Sequence, residues 1–194
     1  MNTKTLALIV VFAALTIALN LEGPKISAPF APGVLWYQIW EIPIVVVFLL
    51  IGPKAGAGIA VLNTLILLAV FPGALPTGPF YNLIAVASML LGIYVAYIIY
   101  TRGCPAEEIG NFLRQHAKGL TISITALGII FRVAITTVSN YFLLQQIPPI
   151  GFGSSPHAAI VFLPSSILFN ATLALYTVPI AVLSVITIKS RFRI

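Results

Sequence analysis

The sequence predicts an all-α membrane protein, a single bundle of six transmembrane helices with both termini on the cytoplasmic side. Three observations predict it. Hydrophobic residues make up 60% of the chain and charged ones 7%, with a mean hydropathy of +1.09. A soluble domain carries roughly 25% charged residues, so this chain cannot face water all round. Its 194 residues hold six crossings at roughly 20 apolar residues each, plus short loops, and leave no room for a second domain. Finally, the basic residues stand singly between apolar blocks and mark one side of the membrane.

Helix 1 is expected from about Thr5 to Asn20. It follows Lys4 as a signal peptide would, but small-x-small cleavage patterns are weak and further apolar segments follow, so it is read as a retained helix. The loop Leu21–Tyr37 is broken by Pro24, Pro29, Pro32 and Gly33 and cannot span. Helix 2, about Gln38–Ile51, is short for a crossing, tolerates Pro43 in its first turns and stops at Gly52-Pro53. Helix 3 runs from about Ala55 to Phe71, and Pro72 through Pro79 forms a second broken loop.

Helix 4 is expected over about Phe80–Tyr100. The polar stretch Thr101–Gly119 follows, where Cys104-Pro105-Ala106-Glu107-Glu108 has the look of a helix start, with acids in the first turn. Helix 5 covers about Leu120–Gln145, and Gln146–His157 is a third broken loop rich in Pro, Gly and Ser. Helix 6, about Ala158–Ile188, exceeds a simple crossing and is expected to bend or split near Pro164 and Pro179.

With the amino terminus inside, the inner segments hold Lys4, Lys54, Arg102, Arg114, Lys118, Lys189, Arg191 and Arg193, while the outer loops hold only Lys25. That asymmetry fixes the predicted orientation. It gathers three Pro- and Gly-broken loops on the outer face. Ile26, Phe30, Val34, Leu35, Trp36 and Tyr37 make the first too apolar for a solvated linker. Either these loops fold over the bundle mouth as a lid, or they pack on helix ends and lipid headgroups, where Trp and Tyr are favoured.

Several functions are disfavoured. The net charge of +6 is not gathered into a basic patch, so nucleic acid is not an expected partner. A single Cys104 permits neither an internal disulfide nor a structural zinc site. The chain has no Asp, His116 and His157 fall on opposite predicted sides, and no hydrolase elbow, zinc-protease or phosphate-loop motif is present. Gly52-Pro53-Lys54-Ala55-Gly56-Ala57-Gly58 lacks the Gly-Lys-Ser/Thr ending of a phosphate loop and reads as a tight inner turn. The expectation is a non-enzyme with neither cofactor nor metal.

Polar groups at membrane depth are costly, so each one retained is a candidate for function. They are Glu41, Asn63, Asn82, Arg132, Asn140 and Asn170. Arg132 falls near mid-membrane and Glu41 toward the outer end of helix 2. An Arg at a helix centre costs about 2.5–3.5 kcal/mol or more and needs a partner or a wet cavity. A Glu41–Arg132 pair fixing the packing is one reading, and contact with a ligand is the other. Asn140, beside Tyr141, and Asn170 offer amide donors and acceptors suited to the edge of a flat heterocycle. Interhelical packing is their alternative role. Asn82, at the outer start of helix 4, is a further candidate. Ala14 and Ala18 sit one turn apart on helix 1, a spacing that admits close approach by another helix.

With these residues in place, the chain resembles the S components of energy-coupling factor (ECF) transporters, the riboflavin-binding branch most of all. The likeness rests on Ala14-x-x-x-Ala18, on Trp40-Glu41-Ile42-Pro43 through Gly52-Pro53-Lys54-Ala55-Gly56, on Arg132 through Asn140-Tyr141, and on Phe169-Asn170. The resemblance implies a six-helix bundle of S-component type that captures a vitamin from outside. Riboflavin or a related flavin is the leading ligand, carried as cargo rather than as cofactor. It also implies a T-type membrane protein and two cytoplasmic ATPases as partners. Asn140, Asn170 and Tyr141 would contact the ligand, Trp36 and Tyr37 would form a lid, and Ala14 with Ala18 would face the T protein. The chain departs from the riboflavin branch at Glu41, where Asp is usual, at Leu173, where a Lys is usual, and at Leu168, where Pro is usual. Another vitamin, a nucleobase-like compound or a non-transporting scaffold are the alternatives.

Overall fold

The computed structural model describes residues 3–70, 75–102 and 116–192. Among them are six helices: α1 (Thr3–Glu22), α2 (Glu41–Leu50), α3 (Pro53–Val70), α4 (Gly78–Thr101), α5 (Ala117–Leu143) and α6 (Pro156–Phe192). Two short strands, β1 (Ile26–Ser27) and β2 (Trp36–Tyr37), pair antiparallel between α1 and α2. The helix start expected at Cys104–Glu108 lies outside the described residues.

Among the described residues five helices are long and apolar enough to cross a membrane, and the chain is a multi-pass cell-membrane protein. Many large apolar side chains face outward, and in α1 burial is inverted relative to a soluble fold. In α1 the apolar Leu6, Val10, Val11 and Leu15 are exposed, while Thr16 and Asn20 are buried. Lipid is as apolar as Leu, so polar groups turn inward and apolar ones outward. Hydroxyls within the helices are satisfied locally. Thr16, Thr64, Thr125 and Thr136 each donate to the carbonyl four residues earlier.

The helix at the expected second crossing is shorter than predicted. α2 has ten residues, about 15 Å at 1.5 Å per residue, half of a hydrocarbon core of about 30 Å. It sits at the bundle's centre against α1, α3, α4 and α6, with Ile44, Val45 and Val47 fully buried. The apolar run from Gln38 suggested a longer helix, but residues 36–40 belong to the hairpin and the turn after it. Non-helical backbone is tolerated at membrane depth only inside protein. Accordingly Ala28 and Trp40 are buried, and Ala28 N–H donates to the Leu35 carbonyl.

The turn after α2 is tighter than the glycine-rich sequence suggested. It is confined to Ile51-Gly52, and Pro53 already begins α3. Gly52 has φ +135°, a conformation open to glycine and strained for other residues. Immediately beyond it, a Cβ on Gly56 would fall 2.6 Å from Phe48 Cβ, so α2 and α3 pack backbone to side chain.

α6 was expected to bend or split at its prolines. It is one continuous helix of 37 residues with Pro164 and Pro179 inside it. Each proline forfeits one donor, a loss that neighbouring helices make tolerable in a membrane bundle. The other helices match expectation to within a few residues at their ends. Glu22, Gly78 and Ala117 each extend a helix beyond the predicted limit.

The long loops meet at one end of the bundle. Thr77 Oγ1 donates to the Pro149 and Ile150 carbonyls at 2.6 and 3.1 Å, and Tyr81 donates to Ile150 O at 2.9 Å. We call this the loop end, and the opposite one, with Thr3 and Phe192, the terminal end.

Candidate functional site

The site grows from one unavoidable encounter. Arg132 is the sixteenth residue of α5 counted from Ala117, and eleven residues, about 16 Å, separate it from Leu143 at the loop end. No water reaches that depth unaided, so the guanidinium must be neutralised by protein. Glu41, the first residue of α2, supplies the charge. Arg132 Nη1 donates to Glu41 Oε2 at 2.5 Å and Nη2 to Oε1 at 2.9 Å, a two-pronged geometry that matches guanidinium to carboxylate. The two side chains are 2% and 3% exposed. The carboxylate also sits at the start of a helix, where the dipole favours negative charge.

Two further donors are also used. Arg132 Nε donates to Asn170 Oδ1 at 2.9 Å, and Nη1 points at Met89 Sδ, 3.7 Å away. Asn170 Nδ2 in turn donates to the Ser166 carbonyl at 2.9 Å. One turn nearer the loop end, Asn140 Nδ2 donates to Ser166 Oγ at 2.7 Å. A continuous polar chain therefore runs from α2 through α5 to α6 and back to α5, with α4 touching it through Met89.

A second layer latches the β-hairpin to α6. The Tyr37 hydroxyl shares a 2.6 Å hydrogen bond with Thr172 Oγ1, and its ring packs on Phe169 at 5.0 Å. Tyr176 meets the Tyr37 ring edge-on at 6.3 Å and donates to the Gln38 carbonyl at 2.6 Å. These contacts hold the segment entering α2, and through it Glu41, in register with Arg132.

Of the residues expected from sequence, Glu41, Arg132, Asn140 and Asn170 come together. The pairing of Glu41 with Arg132, left open by the sequence, is formed. Tyr37 of β2 packs beside them against α6, but its neighbour Trp36 turns outward and is exposed, as alternation in a strand requires. Tyr141 is half-buried, with its ring against Phe142 at 5.1 Å. Asn82 is exposed on α4 and stands apart from the cluster. Ala14 and Ala18 are exposed on one side of α1. Sequence reasoning missed Ser166, Met89, Thr172 and Tyr176. Ser166 carried a faint signal, since it stands four residues before Asn170 and so shares its helix face.

No protein-family model matches the chain, and no curated protein does either. Among solved structures, one of the S component of a bacterial ECF transporter superposes on 98% of this chain and 98% of its own, with a TM-score of 0.75 at 22% identity. This chain has the S-component fold. The correspondence runs end to end, so the short α2 and the loops of the loop end all lie within the shared architecture. Within the S-component fold of this protein, Arg132 is an internal fastener and Asn140 is the cluster member nearest the loop end.

Proposed function

We propose that the chain is the substrate-capture subunit of an ECF-type uptake transporter, taking a small vitamin from the loop end. The end-to-end likeness to an S component carries this reading. The placement of Asn140 supports it. Only one amide hydrogen of Asn140 is committed, to Ser166, which leaves its carbonyl and second N–H for a guest. Three residues earlier, Thr137 Oγ1 is buried without a partner among the described residues. Tyr141 stands beside Asn140 as a stacking surface, and the hairpin with Trp36 and Tyr37 is the lid. Asn82 is kept as an outer contact. Glu41, Arg132 and Asn170 set the floor.

Riboflavin or a related flavin is the ligand that the α5 stretch Arg132–Tyr141 and the Phe169-Asn170 pair of α6 favour. One observation favours a different vitamin or a nucleobase-like compound. Leu173 is buried at 4% exposure, where the riboflavin branch would place a cation. In this reading both termini lie in the cytoplasm, and a T-type membrane protein with two ATPases supplies the energy.

Protein purified in mild detergent is expected to carry its ligand, seen as flavin fluorescence and by mass spectrometry of the co-purified small molecule. Asn140→Ala should weaken binding by about 1–3 kcal/mol, the cost of an unsatisfied buried partner. Unchanged affinity would remove Asn140 from the site, and colourless protein with another bound vitamin would redirect the substrate. Replacing Ala14 and Ala18 by Leu should spare binding yet abolish co-purification with the T-type protein. Intact assembly in that variant would reject the assigned docking face.

A further inference from the structure

Two concavities open on the flank of the bundle away from Arg132. The larger, about 660 Å³, lies at the terminal end between α1, the Ile51-Gly52 turn and α4, and its lining includes Ile9, Gly52 and Lys54. The smaller, about 250 Å³, runs along the α3–α4 seam past Ala57, Val61, Ala87 and Leu91. Pro53 and Tyr94 belong to both, so the two form one channel.

The chemistry of the channel changes along its length. Its mouth holds an exposed ammonium, Lys54, with no carboxylate paired to it among the described residues. The Tyr94 hydroxyl at the junction likewise has no hydrogen-bond partner among the described residues. Beyond the junction the walls are apolar. From Pro53 to Val61 the groove rises eight residues along α3, about 12 Å, close to the half-thickness of a hydrocarbon core of about 30 Å. A cationic mouth at the headgroup level, a phenol just inside it and an apolar slot one leaflet deep fit one kind of molecule.

We propose that this channel binds a single anionic phospholipid. Its phosphate lies at Lys54, its glycerol ester region accepts from Tyr94, and one acyl chain fills the seam between α3 and α4. The slot exists because Ala57 and Ala87 are small and both exposed to it. Charge complementarity selects an anionic headgroup, because one basic side chain near a membrane surface contributes roughly a fivefold preference.

Native mass spectrometry of the whole chain, delipidated in detergent and titrated with phosphatidylglycerol or phosphatidylcholine of equal chain length, tests this. One phosphatidylglycerol should be retained in preference to phosphatidylcholine. Lys54→Gln should reduce the preference about fivefold, and Ala57→Trp, which fills the slot from an exposed position, should abolish retention of both lipids. Glycerophosphoglycerol, the same headgroup without acyl chains, should not bind. An equal mass adduct in wild type, Lys54→Gln and Ala57→Trp would overturn the proposal. Binding of the chain-free headgroup at phospholipid strength would overturn it as well, by removing the groove's part. Size-exclusion profiles of the variants separate loss of the site from loss of the fold.

Discussion

Replacing Arg132 with Met is expected to destabilise the folded bundle by about 3–5 kcal/mol, the usual consequence of stranding one member of a buried ion pair. The Glu41 carboxylate, 3% exposed, would keep no cation. Asn170 Oδ1 would lose its donor as well, because Arg132 Nε is the group it accepts from. The paired replacement Glu41→Leu with Arg132→Met removes both charges and leaves apolar groups in similar volume. It should recover most of the loss, since replacing a whole buried pair by packed hydrophobes is often neutral or favourable. Thermal unfolding of the singles and the double in one detergent forms a cycle whose coupling reads the pair directly. If the Arg132→Met variant melts with wild type, the pair does not hold the centre of the bundle.

A second large effect is expected at Gly92. A Cβ built there falls 2.3 Å from the Leu127 carbonyl oxygen, which is helix backbone on α5 and cannot swing aside. Gly92→Ala should therefore force α4 and α5 apart and destabilise by about 1–3 kcal/mol, as overpacking does. Gly92→Leu should yield no monodisperse protein. Gly58 is the matched control, helical in α3 with nothing within 4 Å of a built Cβ. There Ala should be neutral or stabilising by about 0.5–1 kcal/mol, because the backbone loses less freedom on ordering. Equal melting shifts at the two positions would refute close helix approach as the role of Gly92.

The contrast between these sites shows what the sequence disclosed. One acid and one base placed in apolar helices have few partners to choose from, so a Glu41–Arg132 pair was one of two readings the sequence offered, contact with a ligand being the other, and the geometry decides for the pair. The helix positions were legible for the same reason, since long apolar runs bounded by Pro and Gly permit little else. The length of α2 was not. Gln38-Ile39-Trp40 leads into the apolar run without a break signal, yet it forms the turn between the hairpin, where Ile26 pairs with Tyr37 and Ser27 with Trp36, and a helix that starts at Glu41. Two-residue strands leave no periodic trace. Ser166 was hidden differently. A serine in a membrane helix ordinarily bonds its own backbone, and nothing local says that Asn140 reaches across to it. Of the bend or split expected at the prolines of α6, the split does not occur, because packed neighbours let the helix continue through both.

That unbroken axis has a mechanical consequence. At 1.5 Å per residue, α6 is a rod of about 55 Å set in a slab of about 30 Å. To hide wholly within the slab it would have to lean by about 57°, beyond the ordinary range of roughly 0–40°. Part of it therefore extends beyond the hydrocarbon, and the exposed Lys189 stands near its far end. Asn170 and Ser166 ride on the same continuous helix, with Pro179 between them and that end. A tilt of that helix therefore carries Ser166 and Asn170 with it, and with them the amide oxygen that accepts from Arg132.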